Sequence, residues 1–419
     1  MMGHKRFLVC LLVVLLVLGF GGIKASAAKP PIKIGFMSSL TGPLAGAGSE
    51  LRDGFMLYLD QIGNKIGDRQ IEVIVEDDEG NPSAGLTKFR KLVEKDKVDL
   101  LAGIFTSGVA YAVRDYVHEH QIPLVLCNAG GYALTSTKAS PYVFRTSFSN
   151  PTTNKYLADY AYDELGYRKA IILAQDYPAG WEWVGSFAYN FIRKGGKVVQ
   201  EFYTKLGTPD FAPYITAMDE KKADFLYTFL SSTDAIRFNI QYKELGKKDK
   251  LPNICNMNQV DGVVIHEAGD AAVGKVFAEP FGDMQGPEWQ AYWNAYSKKY
   301  HTDLISNFAT HGYVGAEFIV SALREVKGNV EDRKAFMEAL RKTKVNTPIG
   351  PKSFDKYQNA LHDVVIMRLD KVNNKFEYTL LKKISQASQF GDMSPEAWMK
   401  AVPDWNKMRG KWVHYKLAQ

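Results

Sequence analysis

The chain has 419 residues, of which 46% are hydrophobic, and its formal net charge is +6 at pH 7. This length exceeds what one hydrophobic core usually spans and suits two domains of ordinary size. The positive charge is too small and too scattered to indicate a nucleic-acid partner. With only three cysteines, the chain is not a disulfide-rich scaffold.

A secretory signal peptide is predicted at residues 1–27. Lys5 and Arg6 precede an apolar run at residues 7–20, and the small residues up to Ala27 form a cleavage site. A membrane anchor is the alternative, but the run is shorter than the about 20 residues that cross a bilayer. We therefore expect cleavage after Ala27 and release of the mature protein into the periplasm.

Two cysteines remain in the mature chain, Cys127 and Cys255. They form no CxxC pair that would indicate redox chemistry or zinc. We expect both to be buried thiols, and a single bridge between them is the alternative.

The first part of the mature chain alternates apolar runs with helical patterns. The apolar runs are 32–39, 71–78, 98–105 and 122–129, and the amphipathic stretches between them are 49–62, 82–96 and 108–120. Continuous apolar strands that alternate with helices are typical of parallel sheets covered on both faces. The pattern therefore predicts an α/β fold with a doubly wound sheet.

A second series of the same kind follows a break at residues 142–154, which are rich in Pro, Asn and Thr. We expect this break to be a crossing segment in which Asn150 or Thr152 caps the next helix. The strands predicted after it are 169–176, 197–204, 223–230 and 251–258, and the helices are 181–194, 211–221 and 233–245. A strand at 274–283, helices at 286–300, 308–326 and 330–342, and strands at 362–369 and 375–383 complete the pattern.

Two glycine-rich segments come close to nucleotide-binding motifs and fail at a defining position. In the turn SSLTGPLAGAG (38–48), Gly46 and Gly48 supply two glycines of GxGxxG, but Leu51 occupies the third place. In the segment that starts at Gly269, GxxxxGK is followed by Val276 where a Ser or Thr must reach magnesium. We therefore expect no cofactor, and we interpret the first turn as one lip of a solute-binding cleft.

The sequence contains no local catalytic or metal-binding motif. GxSxG and HExxH are both absent. We therefore expect a protein that is not an enzyme. A secreted hydrolase remains a minor alternative, and it would need a nucleophile and a base brought together from distant parts of the chain.

Polar residues follow five of the predicted strands. They are Thr106 and Ser107, Asn128 to Gly131, Asp176 and Tyr177, Ser231 and Ser232, and Asn258 and Gln259. Each could be an ordinary helix cap or turn residue. Because open α/β sheets bind ligands at the carboxyl ends of their strands, the set together favours a cleft between two halves of the molecule.

Several segments taken together resemble one known family. The segments are IKIGFMSSLTGPLAGAG, VDLLAGIFTSG, IPLVLCNAGG, SPYVFRTS, ILAQDYPAGWE and AGDAAVGKVFAEPF. They are similar to the type I periplasmic solute-binding proteins of ABC transporters, in the leucine/isoleucine/valine-binding (branched-chain amino acid) branch. The likeness covers the mature chain up to about residue 384.

The resemblance implies two Rossmann-like doubly wound lobes joined by a three-crossing hinge. The first lobe would contain residues 28–146 and 282–350, and the second 147–281 and 351–384. Residues 385–419 lie outside the likeness. In them Ser394 is predicted to cap a short helix, and three tryptophans could pack on the protein itself or contact a partner.

The resemblance also implies a ligand site between the lobes. A ligand carboxylate would be held by Thr106, Ser107, Asn128, Ala129 and Gly130, and Tyr177 would pack on the ligand with Trp181 nearby. Ser231, Asn258 and Gln259 would complete the site from the second lobe. No metal is expected.

One departure from the family bears on the ligand. The amino-acid binders neutralise the ligand's ammonium group with an acidic residue, where this chain has Asn258 or Gln259, with Asp261 beyond. Either Asp261 reaches into the site, or the ligand has no α-amino group, because an unpaired buried ammonium is costly.

The function implied is capture of a small, partly apolar carboxylate, either a branched-chain amino acid or an aromatic or other organic acid. The partners expected are this small molecule and the permease subunits of an ABC transporter, and the protein is expected to be a monomer. A ligand sensor that presents its occupied form to a membrane receptor is the alternative.

Overall fold

A computed structural model describes residues 29–282, 284, 286–302 and 304–417. The predicted signal peptide lies outside these residues. Within them, no helix is both long enough and apolar enough to span a membrane.

The first series of strands and helices begins at Ile32. It comprises β1 (Ile32–Ser38), α1 (Ala45–Gln61), β2 (Lys65–Ile66), β3 (Arg69–Asp77), α2 (Pro82–Glu94), β4 (Leu100–Gly103), α3 (Ser107–His120), β5 (Leu124–Leu126) and β6 (Val143–Arg145). The second series comprises α4 (Asn150–Asp163), β7 (Lys169–Gln175), α5 (Pro178–Arg193), β8 (Lys197–Thr204), α6 (Ala212–Ala217), β9 (Phe225–Phe229), α7 (Ser232–Glu244), β10 (Asn253–Asn256), α8 (Gly262–Ala268) and β11 (Val276–Glu279).

Helices then return toward the first series, and a long hairpin follows. These elements are α9 (Pro287–Tyr300), α10 (Asn307–Glu325), α11 (Arg333–Lys342), β12 (Val345–Thr347), β13 (Gly350–Phe354), β14 (Ala360–Val372), β15 (Lys375–Ala387) and α12 (Pro395–Ala401). The Gly269 segment, which lacked the P-loop hydroxyl, is a short turn before β11.

The first sheet has six strands in the order β2-β3-β1-β4-β5-β6, and all pairings except the β2–β3 hairpin are parallel. Both faces are buried, because Leu101 packs toward α2 and α3 while Leu100 and Ala102 pack toward α1 and α10. We call this sheet with α1–α3 and α9–α11 the first lobe.

The second sheet has nine strands in the order β12-β13-β14-β11-β10-β9-β7-β8, with β15 paired to β14. Strands β7 to β11 are parallel to one another, and β14 runs antiparallel to β11. We call this sheet with α4–α8 the second lobe. Two mostly parallel sheets with helices on their faces confirm the predicted doubly wound α/β class, whereas the lobe boundaries drawn from the sequence stay a prediction.

Two glycines fix the return of α10 to the first lobe. A Cβ at Gly54 of α1 would lie 1.8 Å from the carbonyl oxygen of Ala309, and one at Gly312 would lie 1.9 Å from that of Leu51. The helix backbones therefore touch, which only glycine permits at these positions. This contact places the start of α10 beside the cleft between the lobes.

The C-terminal tail packs on α5 and β8 of the second lobe and on Tyr132, which lies between β5 and β6. Ser394 caps α12, as expected, by accepting a hydrogen bond from the backbone N–H of Ala397 (3.1 Å). Trp398, Trp405 and Trp412 are all buried. Their packing against the protein itself decides between the two interpretations of this tail.

Cys127 and Cys255 are free and buried, as predicted. Cys127 follows β5 in the first lobe, and Cys255 lies in β10 in the second. Burial raises the pKa of each thiol to about 12, so both are unreactive at neutral pH.

Candidate functional site

Residues from both lobes enclose one small cavity at the carboxyl ends of the strands. Its centre leaves a space of about 30 Å³, which is room for one or two water molecules. Aromatic side chains form much of its wall: Phe105, Phe148, Tyr177, Trp183, Phe229 and Phe308. Neutral polar residues form most of the rest: Thr106, Ser107, Asn128, Asn150, Ser231 and Asn258, with Gly130 and Ala179 between them. We call it the aromatic cavity.

The start of α3 forms the polar end of the aromatic cavity in the first lobe. Thr106 is the N-cap, and its hydroxyl oxygen accepts a hydrogen bond from the backbone N–H of Val109 (3.4 Å). Ser107 is the first helical residue and is 1% exposed. The N-terminus of a helix of 14 residues carries partial positive charge, so this end of the cavity favours an anion.

Asn128 is held by two neighbours behind the cavity wall. Its Nδ2 donates to the carbonyl oxygen of Phe105 (2.8 Å), and its Oδ1 lies 3.2 Å from Nδ1 of His311. Burial lowers the pKa of His311 well below its ordinary value, so the ring is neutral and its Nδ1–H donates to Asn128. The amide of Asn128 is therefore fixed in orientation.

Gly130 allows the two lobes to approach closely. A Cβ at this position would lie 2.0 Å from Oδ1 of Asn150. The carbonyl oxygen of Gly130 also accepts a hydrogen bond from the Asn150 backbone N–H (2.8 Å). Any larger residue would push the start of α4 away from the loop that follows β5.

The second lobe contributes an aromatic wall and two polar side chains. The ring of Tyr177 lies 6.2 Å from that of Phe229, which stacks on Trp183 at 5.2 Å. Ser231 donates from its hydroxyl to Oε1 of Gln175 (3.1 Å). Oδ1 of Asn258 accepts from Nδ2 of Asn307 across the cleft (3.3 Å).

Two of the nine residues expected in the site do not line the aromatic cavity. The side chain of Gln259 is fully buried in the second lobe, where it accepts from the Thr228 hydroxyl and donates to Oδ1 of Asn239 (3.1 Å). Ala129 packs in the core of the first lobe, and its N–H donates to the carbonyl oxygen of Ile104 (3.1 Å). The other seven residues all line the aromatic cavity.

Trp181 lies near Tyr177, as expected, because its backbone N–H donates to the carbonyl oxygen of Tyr177 (3.0 Å). Its indole Nε1 donates to Oδ1 of Asp176 (2.8 Å), and Trp183 rather than Trp181 lines the aromatic cavity. One further expectation, about the capping residue of α4, is corrected. Neither Asn150 nor Thr152 caps α4, because the N-cap is Ser149. The amide of Asn150 is instead turned into the cavity wall, where Nδ2 donates to Oε2 of Glu182 (2.9 Å).

The aromatic residues other than Tyr177 escaped sequence reasoning. Phe105 and Phe229 end apolar strands, and a strand pattern alone does not show which face of the last residue meets a ligand. Phe308 comes from α10, which reaches the cavity only because the glycines of α1 and α10 let these helices touch. Its sole sequence signal is its position at the start of a helix.

No acidic or basic side chain lines the aromatic cavity among the residues that the structure describes. The carboxylate of Asp261 is engaged elsewhere: it accepts from the backbone N–H groups of Val263 (3.2 Å) and Asn307 (2.9 Å). Glu182 lies behind the wall, where Tyr111, Tyr132, Asn150 and Asn406 donate to its carboxylate. Burial nevertheless raises the pKa of Glu182.

The turn at 38–48 lies beside a neighbouring cavity between the lobes. Gly42, Pro43 and Gly46 line this space of about 260 Å³, which shares Asn258 and Phe308 with the aromatic cavity. The turn therefore borders the cleft between the lobes without lining the aromatic cavity itself.

Comparison with known proteins places this geometry in a family. A family model described as periplasmic binding protein matches residues 31–375. The Leu/Ile/Val-binding protein homolog 6 of Brucella suis is 25% identical over 386 residues, which cover 91% of this chain and 98% of that protein.

Solved structures of ABC transporter proteins have the same fold. The substrate-binding protein from Sphaerobacter thermophilus is 36% identical, with a TM-score of 0.78 and coverage of 85% of this chain and 98% of that one. A solute-binding protein from R. palustris, solved in complex with benzoate, is 27% identical, with a TM-score of 0.79 and coverage of 85% and 97%.

Proposed function

The chain belongs to the periplasmic binding protein family, the solute-binding proteins of ABC transporters, and we propose that it captures a small aromatic carboxylate in the aromatic cavity. The observation that carries this proposal is the composition of the cavity wall, in which six aromatic rings meet neutral polar groups. A benzoate-like ligand presents the complementary features, a flat apolar ring and one anionic group.

We place the ligand carboxylate against the start of α3. The hydroxyls of Thr106 and Ser107 and the backbone N–H groups of the first helical turn are neutral donors, and the helix dipole favours the negative charge. Each hydrogen bond to a charged group contributes about 1.5–3 kcal/mol. Two or three of them hold a carboxylate without a buried cation.

The ring of the ligand would lie among Tyr177, Trp183 and Phe229. Aromatic pairs contribute about 0.5–1.5 kcal/mol beyond their area burial. The hydroxyl of Ser231 and the amide of Asn258 also line the cavity and would meet a polar substituent on the ring.

The cavity wall disfavours an α-amino acid. An ammonium group in the aromatic cavity would meet no carboxylate of the described residues, since none lines its wall, and an unpaired buried charge costs several kcal/mol. The benzoate found in the R. palustris structure supports an aromatic acid for this chain as well.

Delivery follows from the two-lobed architecture. Because both lobes enclose the aromatic cavity, the ligand enters only when the lobes separate. The space of about 30 Å³ is smaller than a benzoate, so the lobes would close over the bound ring less tightly than they do in the form described. The occupied, closed form in the periplasm would then dock on an ABC permease in the membrane. The protein acts by binding and release rather than by catalysis.

Isothermal titration of the mature protein tests the ligand class. Leucine and 4-methylpentanoate differ only in the α-amino group, and benzoate and 4-hydroxybenzoate supply the ring. We expect the benzoates to bind with a Kd near 1 μM, about −8.2 kcal/mol, 4-methylpentanoate more weakly, and leucine at least about 100-fold more weakly than benzoate. Leucine binding as tightly as the benzoates, or no binding by any of the four, would overturn the proposal.

A further inference from the structure

A third cavity lies between the lobes. It shares no lining residue with the aromatic cavity, and it shares Asp261 with the cavity of about 260 Å³ beside the turn at 38–48. Its space is about 120 Å³, enough for a molecule of several non-hydrogen atoms. The second lobe contributes Asp261 and Glu279 to its wall, and the first lobe contributes Trp289, Trp293 and Asn307. We call it the acidic cavity.

Glu279 is the group that most needs a partner in the acidic cavity. It ends β11, is only 4% exposed, and receives no hydrogen bond from any residue within the described ranges. Burial and the neighbouring charge of Asp261 raise the pKa of Glu279 to about 8. A buried carboxyl group that receives no hydrogen bond is stabilised either by taking up a proton or by binding a cation.

A second unpaired acceptor lines the same wall. Asn307 is 4% exposed, and its Oδ1 has no hydrogen-bond partner within the described part of the chain. Its Nδ2 and backbone N–H are already engaged with Asn258 and Asp261. The free groups of this cavity are therefore acceptors, which fits a ligand that donates hydrogen bonds or carries positive charge.

Aromatic faces complete the acidic cavity. Trp289 and Trp293 are four residues apart on α9, so they share one face of the helix, and their ring centroids are 6.0 Å apart. The ring of Tyr378 is fixed from the opposite side, because its hydroxyl donates to the carbonyl oxygen of Val260 (2.5 Å). Indole and phenol faces attract cations.

The charged side chains in the wall of the acidic cavity are the carboxyl groups of Asp261 and Glu279. Among the described residues, the lining of the acidic cavity contains no Lys, Arg or His, and no group of three or more His, Cys, Asp or Glu side chains is arranged to hold a metal ion. Two carboxyl groups and aromatic walls suit an organic cation better than a metal ion, which prefers a full shell of oxygen or nitrogen ligands.

We propose that the acidic cavity binds a small organic ammonium ion, held by Glu279 and Asp261 and flanked by Trp289, Trp293 and Tyr378. An open groove along β15 gives access: Trp289, Trp293 and Tyr378 line it too, and Leu380 on its wall is 57% exposed. An alkylammonium would lie with its charged end in the acidic cavity and its chain along this groove.

Titration of the mature protein with tetramethylammonium chloride tests the site directly. This ion keeps its charge at every pH, and isothermal titration is corrected with sodium chloride at equal ionic strength. We expect saturable binding at pH 9 that weakens at least about tenfold at pH 6, because Glu279 must lose its proton. The titratable groups that face Glu279 are Asp261, whose own pKa is raised by burial to about 6, Tyr378 and the buried thiol of Cys255. Heats equal to those of sodium chloride at both pH values would overturn the proposal.

Matched variants assign the binding to this cavity. Glu279→Gln removes the charge at constant shape and should weaken binding at least about tenfold, whereas Glu267→Gln, on the exposed side of α8, should bind as the unaltered protein does. Trp293→Leu should weaken binding by about fivefold through loss of the ring face, and it decides the question if Glu279→Gln does not fold. Unchanged binding in a folded Glu279→Gln or Trp293→Leu protein would contradict the assignment.

Because benzoate would bind in the aromatic cavity rather than the acidic cavity, titration with benzoate tests the proposed function separately.

Discussion

The carboxylate of Asp261 joins the two lobes: its Oδ2 accepts a hydrogen bond from the backbone N–H of Asn307 at 2.9 Å. Asp261 also caps α8 by accepting a hydrogen bond from the backbone N–H of Val263. One acidic side chain therefore accepts hydrogen bonds from the first turn of a helix in each lobe. The sequence left open whether Asp261 reaches a ligand's ammonium group. The structure places its carboxylate outside the aromatic cavity, and this is why we favour a ligand without an α-amino group.

Replacing Ser107 tests the carboxylate position. In Ser107→Ala the hydroxyl is lost at the start of α3, and we expect benzoate binding to weaken by about 1–2 kcal/mol in isothermal titration. Ser83→Ala is the matched control, since this exposed serine lies in the first turn of α2 and should leave affinity unchanged. Equal affinity of Ser107→Ala and the unaltered protein would remove this hydroxyl from the site.

Replacing Gly130 tests the close approach of the lobes. The added Cβ of Gly130→Ala would lie 2.0 Å from Oδ1 of Asn150, so the loop and α4 must separate. We expect benzoate affinity to fall at least about tenfold and the Tm to fall by several degrees. Gly46→Ala, where nothing lies within 4 Å of the added Cβ, is the control. It should leave benzoate affinity unchanged and should not lower the Tm, since alanine is the better helix former. If Gly130→Ala bound benzoate as the unaltered protein does, the loop at Gly130 and α4 could move apart without disturbing the aromatic cavity.

The tail should stabilise the fold rather than serve a partner. Trp405 is fully buried and its ring lies 4.6 Å from Tyr132 and 5.6 Å from Trp398. We expect Trp405→Ala to lower the free energy of unfolding by about 3–5 kcal/mol, measured by urea denaturation. Val413→Ala, at a side chain that is 37% exposed, should cost less than about 1 kcal/mol. If Trp405→Ala were as stable as the control variant, the tail would not stabilise the fold, and contact with a partner would be the better explanation of its tryptophans.

A buried carboxyl in α10 predicts a pH-dependent stability. Burial raises the pKa of Glu317 from 4.5 to about 8, opposed by the charge of Arg324. A raised pKa in the folded state means that the folded protein holds the proton more tightly. The contribution of Glu317 is therefore fully present below pH 4.5 and is lost as the pH rises toward 8.

Glu317→Gln isolates that contribution. The variant should be more stable than the unaltered protein at pH 8 and gain nothing at pH 4.5, as measured by urea denaturation at both values. Glu325→Gln, at an exposed position of the same helix, should show no such difference. A Glu317→Gln protein whose advantage is equal at both pH values would argue against a raised pKa.

The fold was largely readable from the sequence because its signals are local. Continuous apolar runs such as 98–105 and 122–129 occur only where both faces of a strand are covered, and they predicted β4 and β5. The short strands β2, β6, β12 and β13 and the helix α8 were missed, since each has seven or fewer residues and too few positions to show a period.

The candidate site was readable only in part. Residues such as Ser107 and Tyr177 follow strand ends, so topology alone brings them toward the cleft. Asn258 and Gln259 are neighbours in one short turn that face opposite ways, and the sequence does not say which faces the ligand. Phe308 depends on contact between α1 and α10, a long-range feature that no local pattern encodes.

A crystal structure of the mature protein with 4-hydroxybenzoate tests the central claim most directly. We expect one ligand between the lobes, with its carboxylate within hydrogen-bond distance of Ser107 or the first N–H groups of α3, and its ring against Tyr177 and Trp183. A ligand bound outside the aromatic cavity, or one whose carboxylate points away from α3, would contradict the proposed binding mode.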